Sequence, residues 1–175
     1  MGCGWWVLTE RPITGKVRPM VFPDATPQEA ADMASIGRLA ACYSEAICRG
    51  AIDEAVQVYA PDGVLASSTT AEVIGREAIA EVISTTVKAF DFVYNMTLPG
   101  VIRVIGDRAT ARFPVTELAR RADGTTLHFL GTYDDELRRG PEGWRFTRRS
   151  LHGMTIGRTE SFARSKLHPI PSPPD

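Results

Sequence analysis

The stretch from Tyr94 to Tyr133 constrains the fold more than any other part of the chain, because it reads as two consecutive β-hairpins. Turn signals fall at Gly106-Asp107 and at Asp123-Gly124. Between them Ala109, Ala111, Phe113 and Val115 alternate with Thr110, Arg112, Pro114 and Thr116. That is the two-residue period of a half-buried strand. Glu117 continues the apolar face. A carboxylate at the end of an apolar stripe is costly to bury. It either has a task inside or turns outward to Arg112 or Arg120.

Two-residue turns set a register. The first pairs Ile105 with Arg108, Val104 with Ala109 and Ile102 with Ala111. Continued outward, it sets Leu98 against Val115 and Met96 against Glu117, with Tyr94 one step beyond. The second pairs Ala122 with Thr125, Ala119 with His128 and Glu117 with Leu130. His128 then becomes a diagonal, same-face neighbour of Glu117. A bulge in either hairpin reverses this parity. Pro99 and Pro114 lack amide donors and require a bulge, an edge or a strand end.

At 175 residues the chain suits one domain with a single sizeable core. A net charge of −1 supplies no bulk positive field for nucleic acid or anionic membrane. Cys3, Cys42 and Cys48 lack CxxC spacing, which argues against a disulfide framework or structural zinc, and three dispersed histidines give no metal-ligand pattern. No apolar run approaches the ~20 residues that span a bilayer, and the N-terminal stretch lacks the charge pattern of a signal peptide. The expectation is a cytoplasmic protein. No GxSxG elbow, phosphate loop or dinucleotide fingerprint is present.

Along the chain, residues 1–27 read as an irregular arm carrying Trp5 and Trp6. Residues 28–158 read as the folded domain, and 159–175 as a proline-rich extension with a helical turn near 161–166. Pro27 after Thr26, with Glu29 following, marks a helix start, and Gly50 marks its end. Ile36, Leu39, Ala40, Tyr43, Ala46 and Ile47 form its core-facing stripe. A second helix is expected from Ile52 to Tyr59, a short strand from Val64 to Ser67, a third helix after Gly75, and a last strand from Trp144 to Leu151. Helices followed by a meander of strands indicate α+β, with a curved antiparallel sheet folded as a cone around three N-terminal helices.

Four segments also resemble a known family: "LAACYSEAICRGAIDEAVQVYAPDGV", "IGREAIAEVI", "VIRVIGDRATARF" and "GTYDDELRRGPEGWRFTRRSLHG". Their order and spacing are similar to SnoaL-like proteins of the nuclear-transport-factor-2-like superfamily, over roughly residues 32 to 155. The resemblance implies a cone-shaped α+β barrel with a deep pocket and self-association as a dimer or trimer. It also implies chemistry without a cofactor, as in polyketide cyclases, scytalone dehydratase and bile-acid dehydratases. By the same resemblance Tyr43 matches a pocket tyrosine, and Glu117 falls at or beside a catalytic aspartate. Two departures stand out. Tyr94-Asn95-Met96-Thr97 holds no histidine where many members have one, and Cys48 or Ala51 stands where many have aspartate.

Tyr43, Glu117 and His128 are therefore the candidate catalytic set, with Glu117 orienting His128 and a tyrosine donating to a developing oxyanion. Tyr94, Asn95, Met96, Phe113, Tyr59 and Leu130 are the candidate substrate contacts. Tyr133 reads as core, and Arg148 and Arg149 as solvated or salt-bridged. The expected activity is a lyase, dehydratase or isomerase acting on a small apolar aromatic, polyketide or steroid-like compound, with no metal. The competing expectation is a non-catalytic ligand binder or a small subunit of a ring-hydroxylating dioxygenase-like assembly. A third is hydrolysis by a water held between Glu117, Asn95 and Arg112.

Overall fold

The computed structural model describes residues 24–67, 70–160 and 166, so the expectations for the arm, for Trp5 and Trp6, and for a turn at 161–166 lie outside the described residues. Helix α1 (Pro27–Arg49) opens on a reciprocal cap. Thr26 Oγ1 accepts from the Glu29 amide at 3.2 Å, and Glu29 Oε2 accepts from the Thr26 amide at 2.8 Å. The helix ends at Gly50 as expected. Its buried stripe carries Ile36, Ala40, Tyr43, Ser44 and Ile47, and one acid, Asp32. Asp32 accepts from Trp144 Nε1 at 3.0 Å and from Arg139 Nη2 at 2.7 Å, which ties the start of α1 to the far end of the sheet.

The second helix is shorter than its sequence suggested. α2 (Ile52–Ala55) passes into a 3₁₀ turn (Val56–Val58), and Tyr59 already begins β1 (Tyr59–Ser67). The remaining elements are β2 (Thr70–Ile74), α3 (Arg76–Lys88), β3 (Phe92–Thr97), β4 (Val101–Ile105), β5 (Arg108–Arg120), β6 (Thr126–Gly140) and β7 (Gly143–Arg158). They form one sheet in the order β2-β1-β7-β6-β5-β3, with β4 also paired to β5. The sheet is mixed, because β1 runs parallel to β7; every other pairing is antiparallel. The sheet is curved and unclosed. α1 packs against β3, β4 and β7, and α3 against β1 and β2. Their apolar faces meet in one core containing Ile36, Tyr59, Ile79, Phe113 and Phe146. Among the described residues no helix is long and apolar enough to cross a membrane.

The registers of both hairpins decide the site. The first turn pairs Ile105 with Arg108, Val104 with Ala109 and Ile102 with Ala111, as the sequence indicates. The pairing then slips. Thr97 lies opposite Val115 and Asn95 opposite Glu117, in place of Leu98 and Met96. The extra residue is absorbed at Leu98-Pro99-Gly100, between β3 and β4. A Cβ on Gly100 would collide with the Arg112 carbonyl and the Phe113 ring, so the chain can pass this close only as glycine. Pro114 sits at the same gap. Its carbonyl accepts the Leu98 amide at 2.9 Å, and a proline, which lacks the amide donor, is expected at such an irregularity.

The second turn is one residue longer than expected. Arg121 N–H donates to the Thr125 carbonyl and Gly124 N–H to the Arg121 carbonyl, each at 2.9 Å. Ala122-Asp123-Gly124 is thus a three-residue loop, with Gly124 at φ 83°. Arg120 then pairs with Thr126, Leu118 with His128 and Glu117 with Phe129. The face of every β6 residue is inverted relative to the two-residue reading.

Candidate active site

Glu117 faces the interior. The outward alternative is closed, because Arg112 is taken by Asp134 at 2.5 Å and Arg120 by Asp91 at 3.1 Å. No ion pair to Glu117 occurs among the described residues. Its Oε2 accepts instead from Asn95 Nδ2, directly across the β3–β5 ladder, at 3.0 Å. Burial pushes the Glu117 carboxyl above its ordinary range, and the Asn95 hydrogen bond opposes that only in part. Asn95 is itself buried. Its Oδ1 accepts from Ser44 Oγ at 2.7 Å, and Ser44 Oγ lies 2.5 Å from Thr97 Oγ1. Cys48 Sγ brackets the Asn95 backbone, 3.1 Å from its nitrogen and 3.3 Å from its oxygen.

Behind this network stand three tyrosines. The Tyr43 ring meets Tyr59 edge-on at 6.2 Å and Tyr133 edge-on at 6.1 Å between centroids. Burial foremost, together with Tyr59 and Glu117, drives the Tyr43 phenol far above its ordinary range; burial, Tyr43 and Glu117 do the same to Tyr133. Both are held as neutral phenols. Beneath the rings Arg149 is fully buried, bound to Asp135 through two hydrogen bonds of 2.9 and 2.8 Å. Its guanidinium carbon lies 4.7, 4.2 and 4.0 Å from the centroids of Tyr43, Tyr133 and Phe146. Burial alone would lower the Arg149 pKa, but the charge and hydrogen bonds of Asp135 outweigh it and raise it.

Of the residues singled out from sequence, Tyr43, Tyr59, Asn95, Phe113 and Glu117 point into this interior. Four do not. His128 shares the outer face with Thr116, whose Oγ1 is 2.8 Å from His128 Nε2. The expected Glu117–His128 pair is not formed, because the three-residue loop reversed β6. Tyr94 is 41% exposed and stacks on Phe92, Met96 faces outward beside it, and Leu130 is 40% exposed. The slip at Gly100 turned out the first two, and the longer loop the third. The grooves on the outer sheet face, of about 400 and 600 Å³, share Arg103, Thr110 and Glu136 and touch none of Tyr43, Glu117 or Tyr133.

Tyr133 is core and Arg149 is salt-bridged, as expected, but sequence reasoning missed the place of Tyr133 beside Tyr43, the role of Ser44, and the burial of Arg149 with Asp135. A signal for the last was present. Asp134-Asp135 on β6 and Arg148-Arg149 on β7 are adjacent like charges on paired strands. Alternation must send one of each inward and one outward. Arg149 meets Asp135 inside, while Arg148 pairs with Glu72 outside.

A curved α+β sheet enclosing a carboxylate, an amide and neutral phenols defines the class: a nuclear-transport-factor-2-like cone. The chain belongs to the SnoaL-like domain family, whose profile matches residues 28–150. It is 30% identical over 124 residues to an uncharacterized protein of Mycobacterium tuberculosis and to its counterpart in Mycobacterium bovis, an alignment covering 69% of this chain and 84% of theirs. Among solved structures, a nuclear-transport-factor-2-like protein of Novosphingobium aromaticivorans superposes with a TM-score of 0.67 at 28% identity. That match covers 73% of this chain and 84% of the other. A hexachlorocyclohexane dehydrochlorinase of Novosphingobium barchaimii shares the fold, with a TM-score of 0.69 at 14% identity over 82% of this chain and 97% of its own.

Proposed function

We propose that this protein is a lyase, dehydrating or otherwise eliminating, or an isomerase, that moves protons with its own side chains on a small, largely apolar ring compound. The observation that carries this reading is Glu117: an interior carboxylate with no cationic partner among the described residues, raised by burial and held by one amide. A carboxyl raised above its ordinary range can serve as base and then acid in one cycle. Glu117 removes a proton from carbon or hydroxyl. Charge then develops on a substrate oxygen, to which the neutral Tyr43 and Tyr133 phenols donate. Arg149, under both rings, adds positive potential where that charge forms. The protonated Glu117 returns its proton to the departing hydroxyl or to a second carbon, which gives elimination or isomerisation respectively. That the fold also houses a dehydrochlorinase is consistent with elimination chemistry.

The test is a panel of cyclic β-hydroxy ketones, phenolic carbinols and halogenated rings, followed for loss of water or halide and for deuterium uptake from D₂O. Glu117→Gln should lower turnover of any accepted compound by about 100-fold or more while the fold persists. Wild-type turnover in that variant would end the catalytic assignment. Retained binding without turnover in the native protein would support the ligand-binder alternative.

A further inference from the structure

We infer that Ser44, backed by Thr97, is a positioning residue for Glu117, acting through the amide of Asn95. The inference rests on the reading of Glu117 as the proton-transfer group.

The direction of each hydrogen bond follows from the atoms. Asn95 Oδ1 can only accept, so Ser44 Oγ, 2.7 Å away, is the donor. Serine has one hydroxyl proton, so in the 2.5 Å contact Thr97 Oγ1 donates to Ser44. With Oδ1 held by Ser44, Nδ2 faces Glu117 Oε2 at 3.0 Å. The donors therefore run in order from Thr97 to Ser44 to Asn95 to Glu117. The opposite amide orientation would set oxygen against carboxylate oxygen.

Ser44 is not simply a tolerated helix serine. A helical hydroxyl commonly returns to the carbonyl four residues back. Ser35 does so to Ala31 at 2.9 Å, and Thr86 to Val82 at 3.0 Å. Ser44 is instead buried on the core face of α1 and turned across to β3. Its chain reaches a strand already pinned by the Cys48 contacts to Asn95. Donation into an amide oxygen polarises the amide and strengthens what its N–H donates, by roughly 10–30% per bond. The chain thus favours ionised Glu117 and opposes the effect of burial, keeping the base form accessible.

The experiment is a carbon-13 NMR titration of the Glu117 carboxyl in the full chain without substrate, in the native protein and in Ser44→Ala, Ser44→Thr and Thr97→Val. Ser44→Ala should weaken acid ionisation about two- to fourfold, moving the midpoint upward. Thr97→Val should move it the same way by less, and Ser44→Thr should restore the native midpoint. An unmoved midpoint in Ser44→Ala, or an equal shift with threonine, overturns the inference. Should Ser44→Ala not fold, Thr97→Val decides alone: an unmoved midpoint refutes the chain of donors. Because the titration uses no substrate, its failure is distinct from a failure of the catalytic reading, which shows as retained turnover in Glu117→Gln.

Discussion

Replacing Asp135 by Asn should be among the most damaging single changes in the molecule. Arg149 has no exposed side-chain surface, and among the described residues its only counter-charge is Asp135, through bonds of 2.9 and 2.8 Å. Among the described residues its Nη1 has no hydrogen-bond partner, and the faces of Tyr43, Tyr133 and Phe146 are what else meets the charge. Stranding one member of a buried pair costs about 3–5 kcal/mol. For a domain of this size that lowers Tm by roughly 6–20 °C. The reverse variant, Arg149→Met, should cost less at low pH than at neutral pH, because the abandoned carboxyl can take up a proton whereas guanidinium cannot shed one. Removing both charges with Asp135→Leu and Arg149→Met should return stability to within about 2 kcal/mol of the native protein. Urea denaturation of the native protein, Asp135→Asn, Asp135→Leu, Arg149→Met and the double variant at pH 5 and pH 7.5 closes the cycle. A loss under about 1 kcal/mol in Asp135→Asn, or a double variant as poor as the sum of its singles, would refute the argument.

Glu117→Gln should be stabilising at neutral pH. The folded carboxyl holds its proton more tightly than the unfolded chain does. Its contribution to stability is therefore present below the ordinary glutamate range and is lost as pH rises through the raised folded value. Above that window glutamine should gain about 1 kcal/mol, some 2–4 °C in Tm by calorimetry, and the gain should vanish toward pH 4. Asp32 has the opposite sign, since the Trp144 hydrogen bond above all holds it low; its contribution is present above the ordinary aspartate range and lost as pH falls through the depressed value. Asp32→Asn should therefore flatten the acid limb of a pH–Tm profile. His128→Ala should leave turnover of any accepted substrate within about twofold, because the ring is on the outer face; a loss near 100-fold would restore the imidazole to the mechanism. Gly100→Ala should destabilise by about 1–3 kcal/mol in urea, through the collision with Arg112 and Phe113.

The limits of α1, the β4–β5 pairing next to the first turn and the inward stripe of β5 were legible because each follows from a local signal: a cap, a tight turn, a two-residue period. Glu117 was placed inside on the same grounds. What was not legible came from single residues of irregularity. One extra residue at Leu98–Gly100 exchanged Met96 for Asn95 opposite Glu117, and one at Ala122–Gly124 carried His128 to the other face. The demand for glycine at 100 comes from Arg112 and Phe113, a dozen residues away, and nothing nearby in sequence announces it. β2, and the parallel pairing of β1 with β7, likewise depend on tertiary closure. Asn95 and Ser44 form a polar link between α1 and β3 that spacing alone does not reveal.

The most direct measurement is the titration midpoint of the native Glu117 carboxyl by carbon-13 NMR, read against the exposed glutamate residue of a short unstructured peptide under the same conditions. A midpoint clearly above the exposed residue is what an enclosed, cation-free carboxylate requires. A midpoint equal to or below it would mean that water or an unrecognised cation already satisfies Glu117, and the case for a proton-transfer group at the centre of the cone would fall.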